Sequence, residues 1–259
     1  MIRIFVGTSA NDEDLEAQAV FEYSLRKHHP ADDIELTWMR LSKDPNSFWY
    51  SNPDKSEGWI TKTWATPFSA LRWGIPAACG YSGKAIYVDC DMIVMDDIAK
   101  LWNQEFQSGK LIISKGDGLT FCTMMMDCAG LQSVLPRARD LKQKPNCYRE
   151  VRRMFSGPGA KYVQRFDGNW NCRDGEQYAT IHDPDVKILH YTAIPTQPTH
   201  PHAKARLAAE GRPHWYDGKS RPHPRAEVTE LFDTSLSEAV AHGFTLDQYR
   251  TAPFGDYRR

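Results

Sequence analysis

The stretch from Ala85 to Ile98, AIYVDCDMIVMDDI, puts two aspartates one residue apart between two apolar runs. Residues 85–88 have the composition of a buried strand, and a carboxylate is almost never fully buried without a partner. The strand therefore has to end where Asp89 begins. In extended chain, residues i and i+2 face the same side about 6.6 Å apart, so Asp89 and Asp91 look the same way. In open α/β sheets, ligands bind beyond the carboxyl ends of strands. Two hard oxygen donors placed there suit Mg²⁺ or Mn²⁺, although two surface carboxylates at a strand–loop junction would read identically. The later pair, Asp96 and Asp97, is expected to cap the next helix.

The rest of the chain alternates strand and helix signals. Ile2 to Val6 is an apolar run ending at Gly7-Thr8-Ser9, and residues 11–29 predict a helix with an acidic first turn and Pro30 as its stop. Ile34, Leu36 and Trp38 alternate with Glu35 and Thr37 as a second strand. Residues 42–60 read as a long polar loop carrying Trp49 and Tyr50, and long loops in compact domains are usually functional. A helix is expected over 67–79 and another over about 97–105, with strands at 110–114, 123–126 and 186–191. Strands separated by helices imply an α/β sheet. We divide the chain into a catalytic domain, residues 1–200, and a Pro-, His- and Arg-rich extension, 201–259, packed on that core.

The D-x-D spacing also occurs at Asp12/Asp14 and Asp183/Asp185. The first falls in the opening turn of the predicted helix and the second flanks Pro184 in a turn, so both have structural explanations. Only the pair at 89 and 91 follows a strand directly. A formal net charge of −1 excludes a global field for nucleic acid, which directs attention to a local site. Six cysteines without a C-x-x-C pair point to reduced thiols and a cytoplasmic setting. The start, MIRIFVGTS, has no leader pattern, and no apolar run reaches the roughly 18 residues needed to span a bilayer. Peripheral contact with the inner face of a membrane stays open. Between 136 and 165, nine Lys or Arg stand against two acidic residues, which fits either a solvated helix face or an anionic partner such as a phosphorylated glycolipid.

The segment FSALRWGIPAACGYSGKAIYVDCDMIVMDDIAKLW resembles the central signature of GT-A fold glycosyltransferases, most closely glycosyltransferase family 8 and its bacterial relatives. Two further stretches, ILHYTAIPTQP and RDGEQY, are similar to later elements of that family in the same order. The resemblance covers roughly residues 1–200. It implies a Rossmann-like mixed sheet flanked by helices and a DXD motif that binds manganese, or magnesium. It implies a nucleotide-sugar donor, a UDP-sugar, transferred with retention to a hydroxyl of a glycan or glycolipid, as in polysaccharide or lipopolysaccharide biosynthesis. Asp89, Asp91 and His190 are the implied metal ligands. Arg72 is implied to reach the diphosphate or brace Asp89, Gly7, Thr8 and Ser9 to lie at the base and ribose, and Asp174 and Glu176 to serve catalysis on the acceptor side.

Three positions depart from the family pattern. The usual Ala-Asp start is missing near residues 7–9, Gln197 stands where a phosphate-binding lysine is common, and Thr120 lies near the place of a family asparagine. A neutral amide cannot replace an ammonium at a phosphate, so Lys204 or a neighbouring histidine is the expected substitute. Two alternatives stand beside the transferase: a haloacid dehalogenase-type phosphohydrolase with Asp89 as nucleophile, and a silent nucleotide- or glycan-binding module. His200-Pro201-His202 is a rival metal motif without cysteine or carboxylate at zinc-type spacing.

Overall fold

A computed structural model describes residues 1–116, 121–176 and 180–258. Thr120, together with Gln177 and Tyr178 of the RDGEQY stretch, lies outside the described residues. Eleven strands are present among the described residues: β1 (Ile2–Gly7), β2 (Ile34–Met39), β3 (Ser51–Asn52), β4 (Glu57–Gly58), β5 (Lys84–Asp89), β6 (Met92–Val94), β7 (Ile112–Ser114), β8 (Thr123–Asp127), β9 (Val163–Arg165), β10 (Cys172–Arg173) and β11 (Ile188–His190). The main sheet runs β2-β1-β5-β8-β7-β9, with β1 parallel to β2 and β5, and β8 antiparallel to both of its neighbours. A smaller sheet, β10-β11-β6, stands beside it.

The period-2 alternation of β1 and β5 explains why the main sheet is covered on both faces. Phe5 and Tyr87 enter one apolar layer with Trp59, Trp73, Met124 and Met126. Ile4, Ile86 and Val88 enter the opposite layer with Phe21 and Leu25 of α1 (Leu15–His28). Strand β5 ends at Asp89, and the chain leaves the main sheet through Cys90-Asp91 to join the smaller sheet as β6. The aspartates thus stand at the junction of two sheets. Because β6 pairs antiparallel with β11, His190 lies opposite Met92, and Tyr191 N–H donates to Asp91 O at 3.0 Å.

Local chemistry shortens several predicted helices. Helix α1 begins at Leu15 rather than near residue 11, because Asp12 takes φ +58° and Asp14 turns its carboxylate back to accept from Ser9 N–H at 2.7 Å. The helix expected over 67–79 is a single 3₁₀ turn, Leu71–Gly74, followed by α2 (Ile75–Ala78). Gly74 and Pro76 account for this, since glycine lowers helix propensity and proline restricts the residue before it. The third helix, α3 (Ala99–Trp102), is one turn long, and Asp97 Oδ1 accepts Ala99 N–H at 2.8 Å at its start, as expected of that pair. The polar loop at 42–60 contains the β3–β4 hairpin and sends Trp59 into the core.

Helices α4 (Ala138–Gln143) and α5 (Cys147–Ser156) carry the basic stretch. Tyr148, Val151 and Phe155 face inward while Arg152 and Arg153 stay exposed, the amphipathic pattern of a surface helix. Beyond residue 198, α6 (Thr199–Ala209) and α7 (Ala226–Ala241) pack near α1. The last residues return to the start of the chain: Thr251 N–H donates to Asp12 Oδ1 at 2.9 Å and Phe254 N–H to Ala10 O at 3.1 Å. Phe254 and Tyr257 are buried in the same layer as Trp59. Burying one such ring stabilises by roughly 1.5–3 kcal/mol, enough to hold the tail over the end of β1. All six cysteines are free. Among the described residues, no helix is long and apolar enough to cross a membrane.

Candidate functional site

Asp89 is 6 % exposed and strongly held. Its Oδ1 accepts from Arg72 Nη2 at 3.0 Å and from the Tyr87 hydroxyl, and its Oδ2 lies 4.0 Å from His190 Nε2. Arg72 also donates to Phe121 O at 2.8 Å and stacks over the Tyr87 ring at 4.5 Å. Burial opposes its charge, yet Asp89, together with smaller contributions from Tyr87 and Cys122, outweighs burial and pushes the guanidinium further up. Of the two roles the resemblance implies for Arg72, the geometry displays the brace on Asp89.

Asp91 is arranged in the same way. Its Oδ2 accepts from Gln197 Nε2 at 2.7 Å, while its buried Oδ1 is 3.4 Å from His190 Nε2 and accepts no well-formed hydrogen bond. His190 Nδ1 pairs with Asn171 Oδ1 at 2.9 Å. With the amide oxygen as acceptor, Nδ1 carries a proton and Nε2 faces the two carboxylates, where its lone pair would be available to a cation bound between them. Each aspartate therefore has one oxygen held by protein donors and the other aimed at the same imidazole nitrogen. Burial alone would push the imidazole down, but Asp91 and Asp89 outweigh it and push it up.

This donor set fits a divalent cation. Two carboxylate oxygens and an imidazole nitrogen converge, and the orphaned Asp91 Oδ1 is the kind of buried polar atom that calls for an absent partner. Cys122 Sγ lies in the same cluster, within 4.8 Å of ligand atoms of Asp89 and His190. Burial raises that thiol well above its ordinary range. A protonated thiol is a poor ligand for a hard cation, so Asp91 is the better third donor.

The aspartates line a cavity of 240 Å³ that also takes in Asp14, Phe68, His200 and Trp215. Asp14 is the residue that sequence reasoning missed, because an acidic residue just before a helix already had an explanation. Burial, with a contribution from Asp91, raises its carboxyl to about 6. Its partner Asp12 is committed elsewhere, to Thr251 and to Arg212 at 3.4 Å. The third pair forms a turn, as expected, with Asp183 Oδ1 accepting Asp185 N–H at 2.9 Å.

The remaining sequence candidates are placed as follows. Gly7 permits the close approach of Tyr87, whose hydroxyl would sit 2.7 Å from an added Cβ. Thr8 and Ser9 are buried and point inward, Thr8 to Asp14 at 3.3 Å and Ser9 to Glu13. Gln197 lines the same cavity, and its amide hydrogens go to Asp91 and to Tyr191 O. Lys204 donates to Gly218 O and sits 4.4 Å over the Tyr216 ring, so it is not the expected substitute. Asp174, 1 % exposed, accepts from Thr192 Oγ1 at 2.8 Å and lies 3.4 Å from His223 Nε2. Glu176 pairs with Arg173 at 2.8 Å and with Lys115. Neither Asp174 nor Glu176 is among the residues lining the 240 Å³ cavity. In the rival motif, His202 pairs with Asp233 at 2.8 Å.

No protein-family model matches the chain, and no curated protein is similar to it in sequence. Solved structures are similar in fold. Galactosyltransferase LgtC, in complex with donor and acceptor sugar analogues, superimposes with TM-score 0.57 at 13 % identity over 92 % of this chain and 96 % of that one. The apo form of glycosyltransferase GlyE from Streptococcus pneumoniae TIGR4 gives TM-score 0.55 at 13 % identity, over 94 % of this chain and 64 % of that one. Mouse xyloside xylosyltransferase 1 gives 0.50 at 11 % identity, over 74 % and 98 %. At such identities the likeness is one of architecture, and the chain has the GT-A-type glycosyltransferase fold that the resemblance implied.

Proposed function

We propose that this chain is a metal-dependent glycosyltransferase that moves a sugar from a UDP-sugar to a hydroxyl of a glycan or glycolipid, with retention of configuration. The observation that carries the reading is the convergence of Asp89 Oδ2, Asp91 Oδ1 and His190 Nε2 at the end of β5. Asp89, Asp91 and His190 would hold Mn²⁺ or Mg²⁺, and the imidazole favours Mn²⁺. Bound there, the cation would stabilise the negative charge that develops on the departing diphosphate.

The chain's own residues prepare that site. Arg72 and Tyr87 hold one Asp89 oxygen, Gln197 holds one Asp91 oxygen, and Asn171 fixes the imidazole tautomer. Such outer partners typically contribute 10–100-fold in metal affinity or activity. Asp174 acts from behind, tying Thr192 and the end of β11 together. Glu176, with Lys115 and Arg173, shapes the acceptor side. Retention needs no carboxylate nucleophile when attack is guided by the leaving phosphate. The exposed basic residues of α4 and α5 are our candidate contact for a phosphorylated glycolipid or an anionic membrane surface.

A thermal-shift panel of UDP, GDP, CMP and UDP-sugars, with and without Mn²⁺, tests the reading on wild type and Asp91→Ala. A ligand that binds the folded state raises its stability by mass action. The expected result is a Mn²⁺-dependent shift with one nucleotide that disappears in the variant. No shift with any nucleotide would discard the donor assignment. Binding without turnover would favour a silent module, the second reading, which is supported by the commitment of Gln197 to Asp91.

A further inference from the structure

Two cavities meet at Trp215. The first is the 240 Å³ space at the aspartates; the second, 430 Å³, is lined by Asn11, Glu13, His214, Trp215, Tyr257 and Arg258. Their partition is thin. Asp14 faces the first and its neighbour Glu13 the second, while His200 of the first wall and His214 of the second have ring centroids 4.9 Å apart. Within this partition the Trp215 indole N–H is buried and has no hydrogen-bond partner among the described residues. A buried donor without an acceptor costs free energy that a bound oxygen would recover.

We infer that the second cavity receives the nucleoside of the donor, with the Trp215 indole N–H donating to a ribose or phosphate oxygen that passes the partition. This inference rests on the donor proposed above. Ligand pockets commonly span roughly 300–1,000 Å³, so the 240 Å³ cavity is too small for a whole nucleotide sugar, whereas the two together suffice. Thr8 and Ser9, the residues at which the resemblance put the base and ribose, are buried with their side chains directed to Asp14 and Glu13. The next concave surface along the same loop is the one at Asn11 and Glu13. Its other walls include the Trp215 ring, an aromatic surface that suits a flat heterocycle, while Asn11 is tied to Gly255 through both its amide oxygen and its amide nitrogen. Arg258, with its guanidinium carbon 5.2 Å over the Tyr257 ring, adds a positive charge to the wall of the second cavity. Most of these walls come from beyond residue 200, outside the stretch that carries the resemblance. The C-terminal segment would thus set base preference.

Calorimetric titration separates this inference from the reading beneath it. Whichever of UDP, GDP and CMP the wild-type chain binds in Mn²⁺ is titrated into Trp215→Leu, Trp215→Phe and Arg258→Ala, with Mn²⁺ alone as the control. Nucleotide affinity should fall at least tenfold in Trp215→Leu and a few-fold in Trp215→Phe and Arg258→Ala, with Mn²⁺ affinity unchanged within twofold. The matching nucleoside should bind wild type without Mn²⁺ and lose affinity in parallel. If Trp215→Leu does not fold, Trp215→Phe and Arg258→Ala decide. Unchanged nucleotide affinity in the variants, or a loss confined to oligosaccharides, overturns the inference and leaves the donor reading standing. A wild type that binds none of the three nucleotides overturns both.

Discussion

Two pairs of carboxylates looked equivalent as site candidates, and the fold brings only one of them together on a single histidine at the wall of a cavity. Asp89 and Asp91 each have one oxygen anchored by protein donors and the other turned toward His190. Asp174 has its Oδ1 on Thr192 and its buried Oδ2, without a hydrogen bond, 3.4 Å from His223 Nε2, while Glu176 pairs with Lys115 and Arg173; neither lines the 240 Å³ cavity, and neither shares a histidine with a second aspartate. Anchored carboxylates with one unbonded oxygen occur at Asp91 and at Asp174, but only Asp91 has a second aspartate beside the same imidazole. A carboxylate held on one side and open on the other is preorganised, which is what a cation site requires.

The sharpest way to break the contrast is Asp91→Asn. Loss of a single well-placed electrostatic group at a reaction centre commonly costs 10²–10³-fold in rate. We expect a loss of about that size in sugar transfer, together with loss of the Mn²⁺-dependent thermal shift. Transfer kinetics and the shift measured on one preparation check it. Asp174→Ala should do the reverse, costing about 3–4 kcal/mol of stability by leaving His223 and Thr192 unpaired in the interior. Mn²⁺ binding should persist in the folded fraction. Urea denaturation followed by Mn²⁺ titration reads both quantities.

Acidity extends the comparison to the partition between the cavities. Burial, reinforced by Asp14, raises the Glu13 carboxyl from its ordinary 4.5 to about 7. A raised carboxyl favours folding below pH 4.5, and that contribution is lost as pH climbs through 7. At 1.36 kcal/mol per unit, the rise is worth at most about 3 kcal/mol. His200 and His214, pushed down to about 4 by burial, act with the opposite sign, contributing above pH 6.5 and losing it as pH falls toward 4. Glu13→Gln should therefore flatten the decline in stability between pH 5 and 8 and leave the acid limb intact. Denaturation midpoints across that range decide, and an unchanged alkaline slope would remove Glu13 from the account. The smallest effect belongs to Glu176→Gln, about 1 kcal/mol or less for a partly exposed ion pair. It should shrink further in 0.5 M salt, and a larger, salt-independent loss would reopen an active role for Glu176.

Local sequence determined more of this protein than its length suggests. The apolar run into Asp89 and the α/β alternation were legible, because strand period is a property of short segments, and the resemblance singled out Asp89, Asp91 and His190, which the fold brings together at the end of β5. Helix boundaries were less so: the positive φ of Asp12 and the Gly74-Ile75-Pro76 sequence cut short two runs whose composition favoured helix. Which oxygens stay open could not be read from the chain, since the partners that close the others lie 17 residues away for Arg72 and Asp89 and 106 for Gln197 and Asp91. Asp14 gained a place on the wall of the 240 Å³ cavity, and Asp12 became an anchor for the C-terminal tail that folds back over the end of β1. Sequence names the groups able to do chemistry; tertiary packing decides which of them keep a lone pair free, because a hydrogen bond made inside the protein is no longer available to a ligand.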